Sequence, residues 1–322
     1  MIRRSTRQLA AACGLVALVL ATPAAAQEEP FTFVALGDMP YYLPEDYQRF
    51  ERLIDAINAA APVFSIHVGD TKSGGSECSD AMLQATLDRF MLFQQPLVYT
   101  PGDNEWTDCH RASAGGYDPR ERLARVREMH FSQAMSLGAN PMPVTRQADV
   151  SDYTDMVENL RWTHNGVLFA TVHIVGSNNG FETEPEAAAE YFARNAANIA
   201  WIADAFALAE REGDGAVVFA FQADPDYYGE HWGDSGFTDS LRAFTEGATD
   251  FGKPVLLVQG DAHVMIIDQP LRDENGQVLE NVTRLQVMGA QEVHAVAVTV
   301  YPGDASTFSF RPLIVPENRL QQ

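Results

Sequence analysis

The chain has 322 residues, with 44 Asp and Glu against 22 Lys and Arg and a formal charge of −22 at neutral pH. So acidic a polypeptide has no electrostatic route to nucleic acid or to an anionic membrane surface, and it repels phosphate-bearing ligands unless something locally positive, such as a bound metal ion, draws them in. With 46% apolar residues it is long enough to build one large domain around a substantial core.

The first element in chain order is a leader. Arg3, Arg4 and Arg7 precede an apolar run over residues 9–21, too short to span a bilayer comfortably, and Ala24-Ala25-Ala26 is a small-residue cleavage site. Residues 1–26 are therefore expected to form a secretory signal peptide. That leaves residues 27–322 as a single domain, periplasmic or secreted, with no membrane span. Two cysteines remain, Cys78 and Cys109, and in an exported protein they are most simply read as one disulfide.

Residues 31–36, rich in β-branched and aromatic side chains, predict a strand that ends in Gly37-Asp38. Residues 46–60 carry Phe50, Leu53, Ile54 and Ile57 at helical spacing. A second strand over 63–68 ends in Gly69-Asp70, a helix follows over 79–93, and a third strand over 97–100 ends in Gly102-Asp103. This alternation argues for βαβ units with parallel pairing, hence an α/β fold. Residues 132–155, rich in Pro, Asn and Asp, predict a long surface excursion. Residues 160–173 predict a hairpin turning at Asn165-Gly166. Beyond it come a long Ala-rich helix over 184–212, a strand over 216–221 ending in Gln222, and a helix over 241–251. A strand over 254–258 then leads into Gly260-Asp261-Ala262-His263, and short strands with a turn at 273–276 complete the chain.

Three strands thus end in Gly-Asp, at Asp38, Asp70 and Asp103, and a fourth leads into Asp261 and His263. In parallel α/β sheets ligands collect beyond the carboxyl ends of the strands. Carboxylates gathered on that rim repel one another unless a cation compensates them.

At these residues the sequence resembles the calcineurin-like metallophosphoesterases, whose blocks run D-x-H, G-D, G-N-H-[DE], a His after a strand, and G-H-x-H. The matching stretches are Gly37-Asp38-Met39-Pro40, Gly69-Asp70, Gly102-Asp103-Asn104-Glu105, Gln222, and Gly260-Asp261-Ala262-His263. The resemblance implies a four-layer α-β-β-α sandwich and a site for two divalent metal ions. Asp38, Asp70 and His263 would hold one ion. Asp70, Asp103, Gln222 and Asp261 would hold the other, with Asp70 bridging. It also implies a small phosphorylated substrate and hydrolysis of a phosphate ester.

The departures lean toward oxygen donors or to none: Pro40, Asn104, Gln222 and Asp261 stand where the family has His, and Asp103 where it has Asn. Carboxylate and amide oxygens suit Mn or Mg better than Zn or Fe. Asn104 replaces the His that assists the leaving group; it can donate a hydrogen bond to a phosphate oxygen but cannot transfer a proton. His110, in the same loop, is the candidate acid or an ordinary exposed loop residue. Asn178, flanked by Ser177 and Asn179, is a candidate substrate contact or part of a turn. Glu105 would support the ligands, Trp106 would pack, and His67 and His173 would be core groups. A Cys78–Cys109 bridge would tie the second and third ligand loops together. The alternative function is a non-catalytic envelope protein of the same fold, acting in binding or as a scaffold.

Export predicts a mature chain that begins at Gln27. N-terminal sequencing of the secreted or periplasmic fraction checks this, and a product that keeps Met1 there contradicts it.

Overall fold

The computed structural model describes residues 2, 29–181, 185–225, 227, 235–304 and 306–319. The expected leader, Ile2 apart, lies outside the described residues. The chain folds as β1 (Phe31–Leu36), α1 (Glu45–Ala60), β2 (Ser65–His67), α2 (Asp80–Phe90) and β3 (Leu97–Tyr99), followed by α3 (Pro119–His130), β4 (Thr145–Arg146) and α4 (Gln147–Val150). Next come β5 (Leu160–His164), β6 (Val167–Thr171), the single turn α5 (Gly176–Asn179), α6 (Pro185–Glu212), β7 (Ala216–Ala220), α7 (Thr238–Phe251) and β8 (Val255–Gln259). The last strands are β9 (Ile266–Asp268), β10 (Val282–Gln286), β11 (Ala295–Val300) and β12 (Phe308–Leu313).

The strands form two sheets, one in the order β12-β11-β1-β2-β3 and the other β4-β5-β6-β7-β8-β10-β9. β1, β2 and β3 run parallel, as do β6, β7, β8 and β10. Alternation along the strands sorts residues onto two faces. Val167 and Phe169 of β6 join one apolar cluster with Phe33, Phe64 and Val218 between the sheets, whereas Leu168 and Ala170 join a second with Trp201 of α6 and Phe244 of α7. Phe50, Leu53, Ile54 and Ile57 of α1 pack on the other side of the first sheet. The result is the expected α-β-β-α sandwich.

The differences from the sequence reading are local. The second strand shortens to three residues, although Val63 and Val68 still donate to Thr32 and Leu36. The excursion over 132–155 contains β4 and α4. α7 begins at Thr238, ahead of its first apolar residue. α3, a helix the periodicity did not announce, starts at an Asp-Pro pair: Asp118 accepts from the Arg120 amide and Pro119 fills the first helical position. The predicted hairpin turns at Asn165 and Gly166, with φ of 43° and 66°, the backbone sign that an Asn-Gly turn supplies cheaply. Cys78 and Cys109 are disulfide-bonded, their Cα atoms 5.7 Å apart. Among the described residues no helix is long and apolar enough to cross a membrane.

Phe169 joins the two sheets: its ring lies 5.5 Å from Phe33, 5.0 Å from Phe64 and 5.2 Å from Trp162. Phe169→Ala is expected to cost about 3–5 kcal/mol in urea unfolding, transfer and cavity terms together. A loss below about 1 kcal/mol contradicts this packing.

Candidate metal centre

The carboxyl ends of both sheets meet on one rim. Asp38, Asp70 and Asp103 follow β1, β2 and β3, and Asp261 follows β8. Asp38, Asp70 and Asp261 leave their strands with φ of 54°, 56° and 73°, a left-handed conformation that Asp tolerates better than most residues but that still costs energy. Two glycines make the approach possible. A Cβ on Gly102 would collide with the Asp70 carboxylate, and one on Gly260 with that of Asp38. The Gly-Asp pairs in the sequence therefore each serve a neighbouring block as well as their own.

Oxygens of Asp70, Asp103 and Asp261 lie within 4.8 Å of one another. Asp38 sits beside them, both oxygens accepting from the Asp261 amide at 3.0 and 3.1 Å. The Ser177 hydroxyl shares its one proton between Asp103 at 2.7 Å and Asp108 at 3.0 Å. Glu105 is fully buried and accepts three backbone N–H groups, from Thr71 at 2.6 Å, Gly102 at 2.9 Å and Asp70 at 3.3 Å. It thus fastens the second ligand loop to the third. His67, buried between the Met39 carbonyl and the Gly69 amide, is held neutral by burial, its pKa pushed down to about 3.

Electrostatics makes this cluster costly. Burial first, then mutual repulsion, holds Asp70 well above the usual carboxylate range; burial and then Asp261 do the same to Asp38, against the pull of the Asp261 amide. Asp261 is pushed up to about 7, by burial and by Asp103. Asp108 is raised by burial and Asp103, although Arg111 pairs with it. Among the described residues the buried ammonium nearby is Lys72, whose pKa burial lowers and Glu105, Asp70, Asp108 and Asp103 draw back up.

The other predicted residues fall as follows. Asn104 Nδ2 donates to Asp70 at 2.6 Å and to the Tyr41 hydroxyl at 3.0 Å. His263 Nε2 lies 3.2 Å from that hydroxyl and 3.9 Å from Asp38. Gln222 is buried, and its Oε1 accepts the Gly176 amide at 2.6 Å. Its Nε2 end, without a partner of good geometry, lies toward Asp261 and moderates the upward shift there. His110 is exposed, bonded through Nδ1 to the Thr107 carbonyl at 2.6 Å, and lines a groove of about 600 Å³ with Trp106, Tyr117, Arg120 and Glu190. Asn178 bonds to the Gly236 amide and the Phe181 carbonyl. It belongs to a left-handed turn in which Ser177, Asn178 and Asn179 all have positive φ. His173 is buried against Glu158 at 2.7 Å. Burial alone would raise Glu158, but Arg127 and His173 hold it at about 2.

Tyr41 and Lys72 escaped the sequence reading. The signals were present, a Tyr three residues after Asp38 and a Lys two after Asp70, but neither position belongs to the quoted blocks.

Solved structures place this architecture. A dimetal phosphatase from Danio rerio is similar over 88% of this chain and 99% of its own, with a TM-score of 0.52 and 11% identity. A purple acid phosphatase from yellow lupin seeds is similar over 91% of this chain and 53% of its own, with a TM-score of 0.52 and 12% identity. The fold is that of the calcineurin-like metallophosphoesterases. A third chain of this fold class, GAP50, the anchor in the inner membrane complex of Plasmodium, matches with a TM-score of 0.50 at 11% identity over 89% of both chains. No family model matches the sequence, and no curated protein does. The metallophosphoesterase fold brings its strand ends together, and here the donors on them are oxygens. Three convergent carboxylates, two of them buried and all crowded by like charge, fit an oxygen-seeking divalent ion.

Without metal, the raised carboxyls make folding favour their protonated forms. Asp261 titrates at about 7 in the folded chain against about 3.9 in an unfolded one. Its contribution is complete below the unfolded value and lost as pH rises through the folded one; Asp38 and Asp70 act in the same direction. Chelated protein is therefore expected to lose thermal stability as pH rises from about 4 to about 7, and Asp261→Asn to lose less. A flat or rising melting profile contradicts this.

Proposed function

We propose that the protein is a metal-dependent phosphoesterase, periplasmic or secreted, that hydrolyses the phosphate ester of a small phosphorylated substrate. The observation that carries this reading is the convergence of Asp70, Asp103 and Asp261 at the carboxyl ends of two sheets, in a fold shared with two phosphatases. These three carboxylates would hold the divalent cation, which when bound supplies charge neutralisation and Lewis acidity to a phosphoryl group. The oxygen donors favour Mn or Mg.

The chain's own residues then have distinct tasks. Ser177 and the Glu105 clamp fix the direction of Asp103 and Asp70. Asn104 orients Asp70 through Nδ2, and to donate to a phosphate oxygen it must release either that carboxylate or the Tyr41 hydroxyl, its second acceptor. His110 lines the 600 Å³ groove, which none of the convergent carboxylates lines, so as the acid it would serve only a leaving group that reaches from the carboxylates into that groove. Lys72, 1% exposed, is an internal counter-charge rather than a substrate contact.

The second reading is a non-catalytic binding or scaffold protein. It draws support from the similarity to GAP50, an anchor in the inner membrane complex of Plasmodium, and from the loss of the block His at Pro40, Asn104 and Gln222.

Chelated enzyme is expected to recover hydrolysis of p-nitrophenyl phosphate or its diester with Mn²⁺ or Mg²⁺ and less with Zn²⁺. Asp103→Asn should lower kcat/KM by more than about 100-fold, beyond the loss that a supporting contact carries. Full recovery with Zn²⁺ alone defeats the hard-metal argument; metal binding without turnover of any phosphoester favours the scaffold.

A further inference from the structure

The resemblance assigns one ion to Asp38, Asp70 and His263 and a second to Asp70, Asp103, Gln222 and Asp261; in the structure the Gln222 Oε1 is taken by the Gly176 amide. The two halves of the rim differ in this chain. Three carboxylates converge on the second half. On the first half a phenol lies between the named ligands. The Tyr41 hydroxyl donates to Asp70 Oδ2 at 2.7 Å and accepts from Asn104 Nδ2 at 3.0 Å. Its one proton is committed to Asp70, so the 3.2 Å contact with His263 Nε2 makes that nitrogen the donor.

The phenol oxygen therefore makes the one bond it can donate and two it can accept. Tyr41 and Asn104 Nδ2 together fill Asp70 Oδ2, and His263 Nε2 is turned to Tyr41, which engages two of the atoms the first ion would need. Asp70 Oδ1, which among the described residues accepts only the Asn104 amide at 3.2 Å, is left for the second half. Asp38, the third ligand, shares the single Asp261 N–H between its two oxygens and is tied by it to the second half of the rim. The Tyr41 ring is 9% exposed and packs edge-on against His263, with centroids 5.0 Å apart, so it is built into the rim. Charge points the same way. Lys72, buried beside Glu105, Asp70, Asp108 and Asp103 with Nζ on the Ser73 carbonyl at 3.1 Å, already supplies positive charge within the cluster.

We infer that the Tyr41 hydroxyl occupies the place of the first ion, and that the chain holds a single cation, ligated by Asp70, Asp103 and Asp261. This rests on the metal-dependent reading above and narrows it. His263 then acts as a hydrogen-bond donor to Tyr41 and is not a ligand. The clamp on a phosphoryl group is one cation, with the rim's first half closed by protein.

The test is Mn²⁺ titration of chelated full-length protein by calorimetry, with the electron paramagnetic resonance spectrum recorded at saturation. Wild type should bind one equivalent and show the spectrum of an isolated ion. Tyr41→Ala, which vacates the first half, should bind a second equivalent and show an exchange-coupled pair. His263→Ala should keep its single equivalent, and it decides the matter should Tyr41→Ala fail to fold. Two equivalents in wild type, a single equivalent in folded Tyr41→Ala, or loss of binding in His263→Ala overturns the inference and leaves the phosphoesterase reading standing. No binding at all in wild type overturns both.

Discussion

Like charge buried at the junction of two sheets is the constraint around which this molecule is arranged. Asp38, Asp70, Asp103, Glu105, Asp108 and Asp261 come together where water is largely excluded, with Lys72 and Arg111 as fixed counter-charges. Carboxylates in such a place protonate, scatter or acquire a cation. The structure spends conformational strain to prevent scattering. Left-handed backbone at Asp38, Asp70 and Asp261 aims the side chains inward, and side-chain-free glycines at 102 and 260 let neighbouring carboxylates pass.

The sandwich serves this arrangement directly. Asp38 belongs to one sheet and Asp261 to the other, and the bond from the Asp261 amide to the Asp38 carboxylate joins the two at the rim. The Gln222 side-chain oxygen Oε1, just beyond β7, takes the Gly176 amide, which fixes the turn that carries Ser177. Behind that turn Arg194, fully buried, holds Asn179 through its side-chain and backbone oxygens at 2.6 and 2.8 Å. The disulfide ties the stretch after Asp70 to the one after Asp103. A strained rim thus rests on a rigid, cross-linked base, as a site that must keep its geometry against repulsion requires.

Much of this was legible in the chain. The strand ends could be read because apolar runs stop at Gly-Asp, and the order of those stops carried the fold. The disulfide followed from two cysteines in a chain expected to be exported. Atom-level roles were not legible, because distant parts of the chain decide them. Tyr41 meets Asn104, 63 positions away, and His263, 222 positions away. Gln222 reads as an oxygen ligand until the Gly176 amide, 46 positions away, claims that oxygen. Lys72 follows Asp70 by two residues, yet its importance lies in being buried, which no local pattern announces. α3 was missed for the opposite reason: its few buried residues, Arg122, Leu123, Val126 and His130, make a weak apolar stripe, and only the Asp-Pro start marks it.

The central claim is that the carboxylate cluster is built for a cation. Thermal unfolding of chelated protein near pH 7, without and with Mn²⁺ in excess, tests it most directly. The account predicts a clear rise in Tm on adding the ion, equivalent to about 2.7 kcal/mol when free Mn²⁺ is 100 times its Kd. A melting temperature that ignores Mn²⁺, Mg²⁺ and chelator alike contradicts it.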